Sequence, residues 1–373
     1  MPTFSERIAD ARRILVVNPK GIGDVIHSLP VAALLKRSVP DAQIDFLGSS
    51  HAAALFDTVP FVSEVFSDAL YPRPKTRLEQ YRRRLRNAWG IRGRGYDAIV
   101  NLKPLDSTAG QVILSGARSK LAIRCMYARV KQRWLYDTVI DTRWRNQPCY
   151  RFLLESMAEA GFAIDGLHVG PGLLDLSAQA LPAELEGRPY LHVSPFTSNV
   201  SRQLVPDETR RLLRALLEHY PRHTLAISCA AAPRELEELR TLLPPDAGER
   251  VQVYPGTLSL AQLAAVLAGA DAHLGPDTGS LHLAWLAGAR TVSWYLNHES
   301  LTGWVPYGPQ HRVLLSLREQ ARCDGTPGTP KDNPMRAIKT PHIIDALDEL
   351  LGAPLPPREQ WWGSGEIGFR VVY

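Results

Sequence analysis

Residues 13–49 read RILVVNPKGIGDVIHSLPVAALLKRSVPDAQIDFLGS: an apolar strand, a glycine-hinged loop, a helix with a carboxylate at its opening, then Pro40 and a second strand. The device returns downstream with a different loop, as ADAHLGPDTGSLHLAWLAGARTVSWY over residues 270–295. Each unit aims a helix N-terminus and an aspartate, Asp24 or Asp277, at the carboxyl end of a strand. The first amides of a helix lack intrahelical partners and its dipole favours negative charge there, so such an end suits an anion. Two such units in two halves predict an anionic ligand held across an interdomain cleft.

The alternation continues outward from both stretches. In the first half, strands are expected at 14–18, 44–47, 98–101 and near Leu121, with helices at 24–38, after Ser50, at 75–89, from Ser107 and at 148–160. In the second half, strands are expected at 190–194, 224–228, 251–253, 272–274 and 291–294. Helices are expected at 206–219, 233–243, 260–267, 280–286 and 341–351. Alternating strands and helices argue for parallel sheets covered on both faces. Pro171, Pro182, Gly187 and Pro189 mark a linker, and 297–337 reads as loop. A chain of 373 residues is longer than one core usually supports, so two domains are expected, 1–175 and 190–340. Residues 341–373 form a closing helix and an apolar tail with Trp361, Trp362 and Phe369, expected to pack back on the body, on the first domain.

Composition narrows the class. No apolar run is long enough to span a bilayer, and residues 1–12 lack the apolar core of a secretory signal. Cys125, Cys149, Cys229 and Cys323 show neither CxxC nor zinc-ligand spacing, and the expected compartment is the reducing cytoplasm. The net charge of +5 is unevenly spread: residues 1–175 carry 25 basic and 17 acidic side chains, residues 176–373 carry 18 and 21. Nine basic residues and one acid fall in 73–94, and six basic residues and no acid in 118–133. Such clusters are either solvated helix faces or the mark of a polyanionic partner or an anionic membrane surface. Few aromatics interleave with them and no DNA or RNA motif is present, so nucleic acid is not expected as a partner.

Candidate site residues follow from the loops. Gly21 and Gly23 let a ligand approach the main chain, but Ile26 stands where a third glycine of a dinucleotide fingerprint would be, and no P-loop lysine follows. Asp24 is either a cap or first-turn acid or a carboxylate facing ligand, placed to take a proton from an alcohol; His27 shares its helix face. Asp277 or Thr278 can cap the second helix, with Gly279 opening room for phosphate and His282 beside them. Thr197, Ser198 and Arg202 offer hydroxyls and a guanidinium suited to a diphosphate. Glu235 is either a favourable first-turn charge or an acceptor for a ribose or base. His27 beside Asp24, and Arg118 and Arg124 from the basic stretch 118–133, are the expected acceptor-binding residues.

The order of these pieces resembles family 9 glycosyltransferases, the lipopolysaccharide ADP-heptose transferases, over nearly the whole chain. GIGDVIHSLP is similar to the family's N-terminal active-site loop and GPDTGSLHLAWLAGARTV to its donor-binding segment. The resemblance implies an α/β GT-B fold of two Rossmann-like domains, with acceptor on the first and donor on the second. It also implies inverting, metal-independent transfer from a nucleotide-activated heptose, with no cofactor. Asp24 then matches the catalytic base. Gly21, Gly23, Thr197, Ser198, Arg202, Glu235, Asp277, Thr278, Gly279 and His282 are assigned to the donor. Two departures bear on the donor: Gln203 stands where the family has a basic residue, and the expected glycines before Glu235 are replaced by Cys229-Ala230-Ala231-Ala232.

A sugar hydroxyl is a poor nucleophile, so a carboxylate beside it and cationic groups around a leaving diphosphate are what such a transfer requires. The chain has no Asp-x-Asp to bridge a metal to a diphosphate. The expected acceptor is an anionic glycolipid or phosphorylated sugar such as the lipopolysaccharide inner core, with peripheral contact to an anionic membrane at its cytoplasmic face. Two alternatives stay open: a transferase of the same fold with another nucleotide sugar and a protein or natural-product acceptor, and a non-catalytic sugar-nucleotide binding protein.

Overall fold

The computed structural model describes residues 2–68, 76–125, 129–130, 132–167, 169–245, 247–298, 300–316, 333–354 and 369–372. The chain divides into two compact units, residues 1–175 and 176–373.

The first unit runs α1 (Phe4–Arg7), β1 (Arg13–Val17), α2 (Ile22–Ser38), β2 (Gln43–Ser49), β3 (Glu64–Asp68), α3 (Arg77–Ile91), β4 (Ala98–Asn101), α4 (Ala109–Leu114), β5 (Ser119–Ile123), β6 (Thr138–Ile140) and α5 (Cys149–Glu159). Its six strands are all parallel in the order β3-β2-β1-β4-β5-β6. Strands covered on both faces lose the apolar–polar alternation, and Ile14 to Val17 are accordingly all fully buried. On one face, Ile91, Val112 and Leu135 close over Leu15, Val17, Leu47 and Ile99. On the other, α2 lies between β2 and α5, so it is buried over most of its circumference rather than along one stripe.

The second unit runs β7 (Tyr190–Val193), α6 (Pro206–His219), β8 (Thr224–Cys229), α7 (Pro233–Leu242), β9 (Val251–Pro255), α8 (Leu260–Gly269), β10 (Ala272–Pro276), α9 (Gly279–Leu286), β11 (Thr291–Leu296), α10 (Leu301–Trp304), β12 (His311–Ser316), α11 (Thr340–Gly352) and β13 (Phe369–Val372). Its parallel sheet is ordered β9-β8-β7-β10-β11-β12-β13, the same winding plus a seventh strand. Strand order reverses between β1 and β4 in one unit and between β7 and β10 in the other. Open α/β sheets bind ligands outside the carboxyl ends of strands at such switch points. Within the second sheet, His192 of β7 and His273 of β10 stand in register, with Nδ1 atoms 2.8 Å apart and both rings fully buried.

Two expectations need correction. The stretch 297–337 is not loop throughout, because α10 and β12 lie within it. The described part of the chain's end belongs to the second sheet, where Phe369 opens β13, and not to the first. Helix α11 packs on α6 and β12, with the buried Glu208 carboxylate accepting from the Thr340 amide at 2.6 Å, and β13 pairs with β12. An exposed edge of β12 offers that strand an unpaired ladder, which pulls the terminus into the second sheet. Trp361 and Trp362 lie outside the described residues.

Candidate active site

In the first unit, β1 hands the chain to Asn18, whose amide still donates to Leu47 O at 2.9 Å. The Asn18 side chain donates to Ser28 Oγ at 2.5 Å and to the Asp24 carbonyl at 3.0 Å, and Ser28 Oγ donates to the same carbonyl at 2.7 Å. This clamp fixes the backbone of the first turn of α2 and leaves the Asp24 carboxylate free to point elsewhere. Gly21 is the N-cap and offers no side-chain acceptor, so Asp24 does not cap its helix. Its Oδ1 instead lies 2.8 Å from Lys103 Nζ. Neither Gly21 nor Gly23 adopts a positive φ, so their contribution is the missing side chain rather than unusual backbone angles.

Lys103 was not singled out from the sequence. It follows the carboxyl end of β4, and its amide is held at 3.0 Å by Asn101 Oδ1. Burial alone would depress the Lys103 ammonium, but the Asp24 carboxylate outweighs it and the net shift is upward. Base candidate and lysine therefore straddle the β1/β4 switch point as an ion pair, with the Asp24 side chain 21% exposed and Lys103 11% exposed.

The second unit places a corresponding pair at β7/β10. Asp277 follows β10 and Arg202 lies on the loop after β7; Arg202 Nη1 donates to Asp277 Oδ2 at 2.6 Å. His282 Nε2 is 3.5 Å from the other carboxylate oxygen, and its ring meets Trp304 edge-on. Burial would raise Asp277, but the His282 ring and the Arg202 guanidinium overcome that and hold the carboxyl below its usual range. Thr278 occupies the N-cap of α9 without a side-chain cap bond; its hydroxyl pairs with Ser280 Oγ at 2.7 Å, and Gly279 is the first helical residue. The opening amides of α9 thus carry no side-chain acceptor. His298, also missed, lies after β11 near Asp277; burial lowers its pKa against the pull of that carboxylate.

On the loop after β7, Ser198 is exposed, while Thr197 is buried with its Oγ1 accepting from the Asn199 amide at 3.3 Å. Gln203, where the family has a basic residue, is buried, and Arg202 makes the carboxylate contact. Glu235 opens α7 and accepts from the Ala230 amide at 2.8 Å, bracing the Cys229–Ala232 turn.

Three acceptor expectations fare differently. His27 is 3% exposed and stacks on Tyr150 of α5, so it is a packing residue of the α2–α5 contact rather than a surface for an acceptor. Arg118 precedes β5, which puts it at the amino edge of the sheet, the end opposite Asp24. Arg124 follows β5 at the correct edge, 3.6 Å from Asp141, which also pairs with Arg133 at 2.8 Å. Residues 73–75, 126–128 and 131 of the basic stretches lie outside the described residues.

Among the described residues no group of three or more His, Cys, Asp or Glu side chains is gathered as a metal site, and no helix is long and apolar enough to cross a membrane. Residues 82–330 match the profile of glycosyltransferase family 9 (heptosyltransferase). The chain is 28% identical over 297 residues to lipopolysaccharide heptosyltransferase 1 of Pseudomonas aeruginosa, covering 75% of this chain and 78% of the relative. The fold is similar to a family 9 glycosyl transferase from Veillonella parvula, with a TM-score of 0.71, 16% identity, and coverage of 91% of this chain and 97% of that one. It is also similar to E. coli heptosyltransferase WaaC, solved with ADP-2-deoxy-2-fluoro heptose, with a TM-score of 0.66, 21% identity, and coverage of 81% and 92%. Two doubly wound parallel units, an aspartate pair at their switch points and a profile match over two thirds of the sequence agree: the chain has the GT-B fold and belongs to glycosyltransferase family 9, the heptosyltransferases.

Proposed function

We propose that the chain moves a heptose from a nucleotide-activated donor, ADP-heptose, to a sugar hydroxyl of an anionic acceptor of the lipopolysaccharide inner-core type, with inversion and without a metal, in the cytoplasm. The observation that carries this reading is the placement of a carboxylate that does not cap its helix at each switch point, one partly open and one enclosed by Arg202 and His282. Asp24 takes the proton of the acceptor hydroxyl as its oxygen bonds to the anomeric carbon. The bond from that carbon to the diphosphate breaks on the opposite face, and the nucleoside diphosphate leaves with the electron pair. One base and no covalent intermediate give inversion. The leaving charge is met by the opening amides of α9, by Arg202 and by the hydroxyls of Thr197, Ser198 and Thr278. Gly21, Gly23, Gly279, Asp277 and His282 shape the donor loops, and the free capacity of Glu235 serves the nucleoside. Lys103 is a positioning residue that holds Asp24 through the ion pair.

The donor assignment is supported by likeness to a heptosyltransferase crystallised with an ADP-heptose analogue, and the acceptor class by the name of the P. aeruginosa relative. The test is turnover of a panel of nucleotide sugars by purified protein with a heptose-accepting core oligosaccharide, with the product anomer read by NMR. ADP-heptose should be preferred, the anomeric configuration should invert, and excess EDTA should leave the rate within about twofold. Preference for another nucleotide sugar supports the alternative donor reading. Retention of configuration, or collapse under EDTA with rescue by added magnesium, overturns the mechanism.

A further inference from the structure

Among the described residues, the exposed large apolar side chains are Leu78, Tyr81, Leu85, Trp89, Ile113, Trp134 and Val200. All but Val200 belong to α3, α4 and the short turn Arg133–Leu135, the single layer that covers one face of the first sheet. Four of them fall on α3. At about 100° per residue, Leu78, Tyr81, Leu85 and Trp89 lie within an arc of about 80° on one face of that helix. Their exposures run from 47% to 62%, so the stripe faces solvent, while Ala88 and Ile91 turn inward. Arg82 and Arg86 flank the stripe on one side and Arg77 on the other, and the guanidinium of Arg92 sits 4.7 Å from the Trp89 ring.

A soluble surface helix normally buries its apolar stripe and exposes its charges. Here an aromatic and leucine stripe points outward with arginines along its borders. That pattern belongs to helices lying in the plane of a membrane interface, where the apolar face enters the headgroup boundary and the cations meet anionic lipid. We infer that α3, with Ile113 and Trp134 beside it, docks the first unit on an anionic lipid bilayer.

Topology places the two ends of the stripe. A crossover helix in a parallel sheet runs opposite to the strands it joins, so the first turn of α3, with Leu78 and Tyr81, lies toward the carboxyl edge that carries Asp24. A helix lying flat brings both edges of the sheet alongside the lipid, the carboxyl edge at Leu78 and Tyr81 and the amino edge at Trp89. The inference rests on the lipid-acceptor reading for its purpose only; the contact itself requires neither donor nor acceptor.

The experiment is co-sedimentation of the purified full chain with vesicles of phosphatidylcholine alone and with about one third phosphatidylglycerol, in the absence of substrates. Binding to the anionic vesicles should be at least about tenfold tighter than to neutral ones. The pair Leu85→Ser with Trp89→Ser should weaken it about tenfold or more, and Arg82→Glu with Arg86→Glu should do the same with a flatter salt dependence. Circular dichroism and the melting midpoint should stay as in the wild type, because all four side chains are exposed. No binding to either vesicle, or binding that neither pair reduces, overturns the inference. So does a concentration-dependent dimer that the Leu85→Ser, Trp89→Ser pair abolishes without vesicle binding, since the stripe would then serve a second copy of the chain. Transfer to a soluble core oligosaccharide is measured separately, and its loss or survival in the wild type decides the proposed reaction and not the docking.

Discussion

Asp24 and Asp277 hold the same topological place in two units of the same winding, yet their surroundings differ. Asp24 has one cationic partner, Lys103, and a side chain 21% exposed; Asp277 has Arg202 and His282 and is 7% exposed. A carboxylate that must accept a proton needs an approach and a free lone pair. One that organises a phosphate-binding loop gains from enclosure, because its hydrogen bonds then fix Arg202 against the mouth of α9. The two switch points thus supply the same position with different surroundings, one carboxylate partly open beside a lysine and the other enclosed by an arginine and an imidazole.

The largest effect should come from removing the proton acceptor. Asp24→Asn keeps shape and loses the function of a base, so turnover should fall by about 10²-fold or more while donor affinity, measured by calorimetry, stays within a few-fold. Turnover near the wild-type rate would erase the distinction between the two aspartates. Asp277→Asn should reverse the pattern, weakening donor binding by about tenfold and lowering stability by about 1–3 kcal/mol as Arg202 and His282 lose their charged partner. An unchanged donor Kd would remove Asp277 from the donor site.

Lys103→Met should sharpen the comparison by leaving Asp24 without its ion pair. We expect kcat to drop about tenfold with donor Kd unchanged, and Lys103→Arg to restore part of it. Equal losses in the Met and Arg variants would mean that the ammonium is needed for packing only.

A last test separates the units by pH. Burial pushes His192 down to about 3 and His273 and His311 likewise downward from 6.5. Neutral in the folded state, these rings take protons on unfolding, so the stability they carry is whole above 6.5 and is lost as pH falls toward the folded values, at about 1.4 kcal/mol per pH unit for each ring. All three lie in the second sheet. Amide exchange corrected for intrinsic rates should therefore show that unit opening before the first between pH 7.5 and 5.5; equal protection in both would sink the idea.

Both strand–loop–helix devices were legible because glycine and proline punctuate them and because central parallel strands are continuous apolar runs. The strands that escaped are at or near sheet edges: β3 with Glu64 and Asp68, the three residues of β6, β12 within a polar stretch, and β13. Short segments carry too few residues for a periodicity. At the site, Asp24, Asp277 and Arg202 could be read from their loops, whereas Lys103 sits in an ordinary Asn-Leu-Lys-Pro stretch. The available signal was its place two residues beyond a central strand. Arg118 shows the converse error. A charge cluster marks a stretch of chain but not which end of a strand it occupies, and the strand starting at Ser119 sends that arginine to the wrong edge. His27 failed because helical spacing puts it on the face of Asp24 without showing that α5 covers that face one turn further on.

The ion pair between Asp24 and Lys103 joins the ends of neighbouring strands that are far apart along the chain, with β2, β3 and α3 intervening. Contacts of such long sequence separation form late, after the intervening loop entropy has been spent. A nascent chain that has emerged only through α3 holds β1 and α2 but no partner for Asp24. The carboxylate would acquire its counterion only when β4 docks, so the order of synthesis delays a competent first unit until the whole β2–α3 excursion has been laid down.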